Sequence, residues 1–317
     1  QTVWRIEESE NVYRATYTDT LAVEIDRQTG QISALTGGNR EILAAASRLN
    51  LFRATTDNDR GLANFAPWLY RFHRDRRWLH SERRARVRAG QNGARRQGAG
   101  RSGARKRGAG QNGARKHDAP SVTFDLRVPG LKRPRVTYTF APDATVGVRF
   151  TAVSKRDIPR FGVALRFHES YRTVRYFGRG PHENYPDRKT SARVGCYEAS
   201  VEELVHTYVR PQENGARCDV RWIELISDHA ELPTVGVRAV GAPFIVSVHP
   251  WTRESLETAD HIHELERAPF VTVNVDGAMR GVGGDKPGML ALRPRYELPA
   301  GTELQLEMTI SLHSGNR

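Results

Sequence analysis

Leu304-Gln305-Leu306-Glu307-Met308-Thr309-Ile310-Ser311-Leu312 alternates apolar and polar residues without a break. Successive side chains of an extended chain point to opposite faces, so Leu304, Leu306, Met308, Ile310 and Leu312 face one way. Glu303, Gln305, Glu307 and Thr309 face the other. A sheet with such a face buries it against a second layer. The same period of two recurs at 12–17, 21–25, 122–128, 136–140, 146–153, 244–248 and 271–275. Turn residues punctuate these runs at Gln28-Thr29-Gly30, Pro129-Gly130, Ala141-Pro142-Asp143 and Pro299-Ala300-Gly301, as antiparallel connections require. Helical patterns are short and few: 40–48, 201–206 and 256–267. The pattern predicts an all-β protein, two large packed antiparallel sheets in one domain spanning residues 1–317.

Composition bounds the rest. The 317 residues are 38% hydrophobic and 27% charged, with no apolar run near bilayer length, which argues against a helical membrane protein. The net charge of +13 invites a nucleic-acid reading until its location is examined. Twelve of the 49 Lys and Arg lie between Arg83 and Lys116 with no acid among them, leaving 37 basic against 36 acidic residues elsewhere. Inside that stretch three decapeptides follow one another: AGQNGARRQG from Ala89, AGRSGARKRG from Ala99 and AGQNGARKHD from Ala109. They hold no aromatic residue and no aliphatic larger than Ala, so burial cannot offset their ordering entropy. The reading is a low-complexity basic insertion at about 83–118 between two strands. It would bind nucleic acid only nonspecifically, because it offers phosphate contacts without a stacking platform.

Cys196 and Cys218 are too few for a disulfide framework and are not spaced as a redox or zinc half-site, which favours a reducing, cytoplasmic setting. Val3, Trp4 and Ile6 stand among charged residues and give no signal-peptide core. A start at Gln1 without methionine reads as a segment cut from something longer.

Several polar stretches carry chemistry, each with a plainer alternative. Asp57-Asn58-Asp59-Arg60-Gly61 opens like a calcium loop, but glycine already stands fifth and Trp68 twelfth, so a tight turn held by Asx hydrogen bonds is the expectation. In Gly180-Pro181-His182-Glu183-Asn184-Tyr185-Pro186-Asp187-Arg188, Glu183, Asp187 and Arg188 either face a sugar hydroxyl array or neutralise one another. The stretch Tyr208-Val209-Arg210-Pro211-Gln212-Glu213-Asn214-Gly215-Ala216-Arg217 has the same character, with Asn214-Gly215 marking a turn, and a structural role is expected for Glu213, Asn214 and Arg217. Gly281-Val282-Gly283-Gly284-Asp285 is no phosphate cradle, since no helix pattern follows and Asp285 would repel an anion. His261 and His263 are two apart, the wrong spacing for a helical zinc pair, and no metal site is expected. A retaining glycosidase needs two carboxyl groups about 5 Å apart, and spacing alone places no such pair.

Taken in order, these loops resemble the small chain, or C-terminal fifth domain, of bacterial β-galactosidases of glycoside hydrolase family two. The likeness runs through RATTDNDRG at Arg53–Gly61, GRGPHENYPDR at Gly178–Arg188, YVRPQENGARC at Tyr208–Cys218, and Asn274-Val275-Asp276-Gly277 into GVGGD at 281–285. It covers most of the chain apart from the repeat. The resemblance implies a large antiparallel β-supersandwich of the galactose-mutarotase-like type, with few short helices. It implies a non-catalytic chain that closes one side of a galactoside pocket, with the catalytic glutamates and the magnesium and sodium sites on a large chain or upstream domains, within a higher oligomer. The pocket residues it implies are Asp57, Asn58, Asp59, Asp285 and the position of Gly288, with Gly61 as hinge of the family's mobile loop. Glu183, Asn184, Asp187, Arg188, Glu213, Asn214 and Arg217 would support them. One departure stands out: Gly288 occupies the place where the family's substrate-stacking tryptophan is expected, so that either another aromatic such as Trp68 fills in or the substrate preference differs. The alternative is a stand-alone carbohydrate-binding or mutarotase-like sandwich with its own acid and base.

Overall fold

A computed structural model describes residues 4–61, 72–88, 119–284 and 292–313. Among these, nineteen strands and four short α-helices form three antiparallel sheets. The first is a meander of β1 (Trp4–Glu8), β2 (Val12–Tyr17), β3 (Leu21–Asp26), β4 (Ile32–Gly37) and β5 (Arg40–Glu41). The chain then crosses through β6 (Leu43–Asn50) into a second five-stranded sheet. The other members of that sheet are β11 (Arg160–Phe167), β14 (Arg217–Val220), β17 (Phe244–His249) and β18 (Val271–Met279), in the order β14-β17-β18-β11-β6.

A nine-stranded sheet faces both. Its strands are β7 (Arg86–Val87), β8 (Ser121–Arg127), β9 (Leu131–Phe140), β10 (Val146–Ser154), β12 (Tyr171–Gly180), β13 (Arg193–Ser200), β15 (Trp222–Ser227), β16 (Thr234–Ala239) and β19 (Glu303–His313). They run in the order β13-β12-β15-β16-β19-β10-β9-β8-β7. In β19 Leu304, Leu306, Met308 and Ile310 are buried as the alternation requires, and Leu312 is half-buried. One apolar cluster runs through all three sheets, from Val23 and Ile25 through Phe124 and Val148 to Val246 and Val275. Phe150 of β10 stacks on Phe161 of β11 at 4.2 Å between ring centroids, tying the layers at their centre. Trp4 donates through Nε1 to the Ala141 carbonyl at 2.6 Å, and Tyr138 of β9 reaches the Gly30 carbonyl at 2.9 Å, seating the first sheet on the nine-stranded one.

Four features differ from the expectation or extend it. Residues 40–41 and 43–48 are strand and not helix: the alanine run favours helix locally, but pairing of β6 with β11 decides the outcome. A helix absent from the sequence reading, α2 (Phe72–Arg83), is rich in charge and docks through buried Trp78, Ser81 and Glu82. At 201–206 the helix is the single turn α3 (Val201–Leu204), and at 256–267 only α4 (Arg253–Thr258) and a 3-10 turn at Ile262–Glu264 form. The basic stretch begins later than expected, since Arg83 closes α2 and Arg86–Val87 is β7. β7 pairs directly with β8, so the three repeats, which lie outside the described residues, join adjacent strands at a sheet edge. No helix among the described residues is long and apolar enough to cross a membrane.

Gly277 marks the closest approach of the two layers: a Cβ there would lie 1.9 Å from the Gln305 carbonyl oxygen of β19. Backbone on both sides has no room to yield. Gly277→Ala is expected to cost about 1–3 kcal/mol or more by overpacking, read as a lowered urea midpoint. An unchanged midpoint would mean that β18 and β19 separate freely.

Candidate functional site

Four polar segments leave the strands and lock together: 53–61 after β6, 181–188 after β12, 206–216 before β14, and 280–284 after β18. The deepest layer is ionic. Arg160 of β11, fully buried, bonds Glu213 Oε2 at 3.0 Å and pairs with Asp276 of β18. Asn50 of β6 donates to Asp276 Oδ1 at 2.7 Å and accepts from Arg253 Nη1 at 2.7 Å. Arg253 of α4 makes a two-pronged pair with Glu82 of α2 at 2.8 and 2.7 Å. A buried charge persists only when its bonds are met in this way. Burial pushes the Glu213 carboxyl upward against the pull of Arg160.

Above it lies a second cluster. Arg53 holds Asp59 through Nη2 at 3.0 and 3.1 Å, and Arg280 reaches the same carboxylate at 3.1 Å and Asp75 at 2.6 Å. Burial alone would raise the Asp59 carboxyl, but the two guanidiniums outweigh it and hold it at about 2. Asp59 also closes a capping box with Thr56 over the single turn α1 (Asp57–Arg60), which ends at Gly61 with φ +46. The Asp57-Asn58-Asp59 segment is therefore a capped turn, and no cluster of His, Cys, Asp or Glu among the described residues has the makings of a metal site. A left-handed φ favours glycine at 61, where a side chain would add strain.

The outer layer joins the segments to one another. Exposed Asp57 exchanges two hydrogen bonds with Gln212, at 3.0 Å to its backbone and 2.9 Å from the Gln212 amide. Asn58 donates to the Val282 carbonyl at 3.0 Å. Asp187 accepts from the Val282 and Gly283 amides at 3.0 and 2.8 Å, and a Cβ at Gly281 would sit 2.5 Å from its carboxyl carbon. Glu183 accepts from Arg188 at 2.8 Å and Gly215 N at 2.8 Å, and is also bonded by the Tyr208 hydroxyl. Asn184 pins Cys218 N at 2.8 Å, Asn214 accepts from His206 N at 3.1 Å, and Arg217 donates to the carbonyls of Pro181, Leu204 and Gly215.

Of the residues expected at the pocket, Asp57 and Asn58 lie at the rim, whereas Asp59 is buried in its arginine pairs. Asp285, Gly288 and Trp68 lie outside the described residues. Arg188 neutralises Glu183, the plainer of the two readings for that loop. The sequence reading missed Arg160, Arg253, Arg280 and Gln212, which hold the cluster together; arginine within apolar strand sequence, as in Ile158-Pro159-Arg160-Phe161, was the available signal.

The chain matches the family described as Beta galactosidase small chain over residues 17–310. It is 29% identical over 306 residues to a beta-galactosidase of Priestia megaterium, covering 93% of this chain and 26% of that protein. It is 28% identical over 299 residues to beta-galactosidase BgaC of Bifidobacterium adolescentis, covering 90% of this chain and 25% of the relative. The chain thus spans about a quarter of the length of these relatives. Among solved structures, galactose 1-epimerase from Lactobacillus acidophilus NCFM superposes with a TM-score of 0.51 at 7% identity, covering 99% of each chain. That likeness concerns the fold, a galactose-mutarotase-like antiparallel sandwich.

Beneath the cluster, His249 ends β17, and burial, reinforced by the Arg160 and Arg217 charges, lowers it to about 3 from an ordinary 6.5. The folded state then binds fewer protons than the unfolded chain below pH 6.5. Stability is fully present above that pH and drains as pH falls toward 3, by up to about 1.4 kcal/mol per pH unit. Asp59 adds a second loss from about pH 4 down to 2. Urea unfolding of His249→Gln between pH 7 and 4 should show a flatter pH dependence than the parent; an identical slope assigns the loss to other groups.

Proposed function

Because the chain belongs to the β-galactosidase small-chain family, we propose that it is the non-catalytic part of a β-galactosidase, completing the galactoside pocket of a catalytic large chain or of upstream domains. Terminal β-D-galactosides, lactose among them, are the substrates on this reading. The observation that carries it is the state of the carboxylates brought to the loop cluster. Asp59 is held by two arginines, Glu213 by Arg160, Glu183 by Arg188 and Tyr208, Asp187 by two backbone amides and Asp57 by Gln212. A glycosidase acid and nucleophile must face the glycosidic bond with their oxygens available, and these are committed to shaping loops. The rim they leave, with Asp57, Asn58, Arg188 and Gly284 outermost, suits a wall set against a pocket formed elsewhere.

The remaining parts of the proposal follow from the same reading. The catalytic glutamates, and the magnesium and sodium ions, belong to the large chain, within a higher oligomer in the cytoplasm. A stand-alone mutarotase-like role finds less support: on the outer face of the nine-stranded sheet Asp125, Glu307, Glu198 and Glu224 are each paired with arginine.

Hydrolysis of a chromogenic β-galactoside separates the two. The chain alone is expected to be inactive, with activity appearing only when the catalytic chain is added; turnover by the chain alone would overturn the proposal. In the active mixture, Gly288→Trp should lower KM about fivefold with kcat unchanged, since a ring platform contributes roughly 1 kcal/mol of uniform binding.

A further inference from the structure

The outer face of the nine-stranded sheet is divided by charge. Toward β8, β9 and β10 it forms a cleft of about 950 Å3 floored by Thr123, Thr137, Thr139 and Thr309. Its charges cancel: Asp125 pairs with Arg135 at 2.6 Å and Glu307 with Arg149 at 3.7 Å. Toward β12, β13 and β15 the character changes. Register places Cys196, Phe177, Trp222 and Arg238 in one row across four neighbouring strands. Phe177 and Trp222 have ring centroids 6.4 Å apart and ring planes inclined by 30°. Arg221 sits over Phe177 at 5.3 Å and Arg238 over Trp222 at 5.8 Å. Val194 and Val240 flank the row, 45% and 41% exposed.

Neither Arg221 nor Arg238 has a carboxylate partner among the described residues, although every other charge named on this face does. The nearest acid on the strand ends, Asp219, is shared by Arg179 and Lys189. Among the described residues the Arg221 guanidinium donates only to the Asp219 backbone carbonyl, at 3.1 Å. An aromatic pair rimmed by valines and capped by guanidiniums that no carboxylate neutralises has the composition of an interface centre: aromatic rings and arginines supply most binding energy where water is excluded. The guanidiniums lying on the rings leave little open ring face for a sugar to stack on. A second copy of the chain would bring the same positive charges against these.

We infer that the surface formed by Val194, Phe177, Trp222, Arg221, Arg238 and Val240 is a docking surface for a carboxylate-bearing face of the catalytic chain. The inference rests on the reading of this chain as one part of a larger β-galactosidase. The partner supplies the acids that Arg221 and Arg238 lack, and the rings and valines supply the apolar centre. The contact then lies on the sheet face, separate from the loop cluster that meets the pocket.

Sedimentation of the purified chain with the catalytic chain measures this association directly, and galactoside hydrolysis is recorded on the same mixtures. The parent pair is expected to bind, and to bind less tightly as salt rises from 0.05 to 0.5 M, roughly as screening lengths shorten. Arg221→Glu/Arg238→Glu should raise Kd at low salt at least tenfold and flatten the salt dependence, with an unchanged melting curve and undiminished kcat at saturation. Trp222→Ala should raise Kd without altering the salt dependence. A double variant that binds as tightly as the parent overturns the assignment. So does a variant that loses only self-association, which would make a second copy the occupant. A parent chain that binds without supplying activity sinks the pocket-completing reading and leaves the surface standing; one that does not bind at all sinks both.

Discussion

The Arg160 guanidinium is the constraint on which the loop end of the molecule depends. It lies wholly inside the protein between Asp276 and Glu213, and taking such charges from water costs several kcal/mol per ion unless each is matched. Matching fixes geometry: β11 carries the arginine, β18 one carboxylate, β6 the amide that orients it, and the segment before β14 the other carboxylate. The sheet makes space for this by a register shift between Phe161 and Gly162 in the β11–β18 pairing. A Cβ at Gly162 would fall 2.2 Å from Asp276 Oδ1, so only glycine admits the carboxylate. Loss of Arg160 would leave both carboxylates buried without compensation, and its bond to Glu213 fixes the loop before β14 to the strands.

The same logic repeats outward. Arg253 and Glu82 tie α4 to α2, and Arg280 draws Asp75 of α2 and Asp59 of α1 to the end of β18. Each layer uses arginine, whose planar fork meets two oxygens at once and fixes orientation as well as distance. The result is a set of short loops held by side chains from distant parts of the sequence, such as Asp57 by Gln212 and Asn58 by Val282. Preorganised loops lose little entropy when a ligand or a second chain is laid against them, which is what a pocket wall requires.

Legibility in the sequence followed the number of faces an element exposes. β19, β10 and β8 have one wet face and one dry face, so alternation located them within a residue or two. β11 is buried nearly throughout, and its sequence, Arg160–Phe167, shows no period. β6 was obscured by three alanines, whose helix preference is outweighed by pairing with β11. α2 was obscured by its charge: it has no apolar stripe and docks by Trp78, which donates to the Asp157 carbonyl at 2.9 Å, and by the Glu82 pair. In the site, the contiguous polar motifs were visible because prolines and glycines bracket them. Their partners Arg160, Arg253 and Arg280 were not, because a buried arginine and a surface arginine look alike until the fold brings an acid to one of them.

The position of the basic repeat explains why so unusual a segment is compatible with this architecture. β7 and β8 are adjacent and antiparallel at the last edge of the nine-stranded sheet, and β8 takes its register from β9 on the other side. Residues inserted between β7 and β8 interrupt no ladder except the two-residue pairing of β7 itself. The entropic cost of a longer connection grows only with the logarithm of its length, about 0.6 kcal/mol for each doubling, so tens of added residues cost little beside the core. An insertion of the same length between β11 and β12 would have to pass between strands of different layers beside the main apolar cluster. The edge hairpin is thus a place where the chain can carry nine positive charges, from Arg88 to Lys116, without moving a single partner of Arg160.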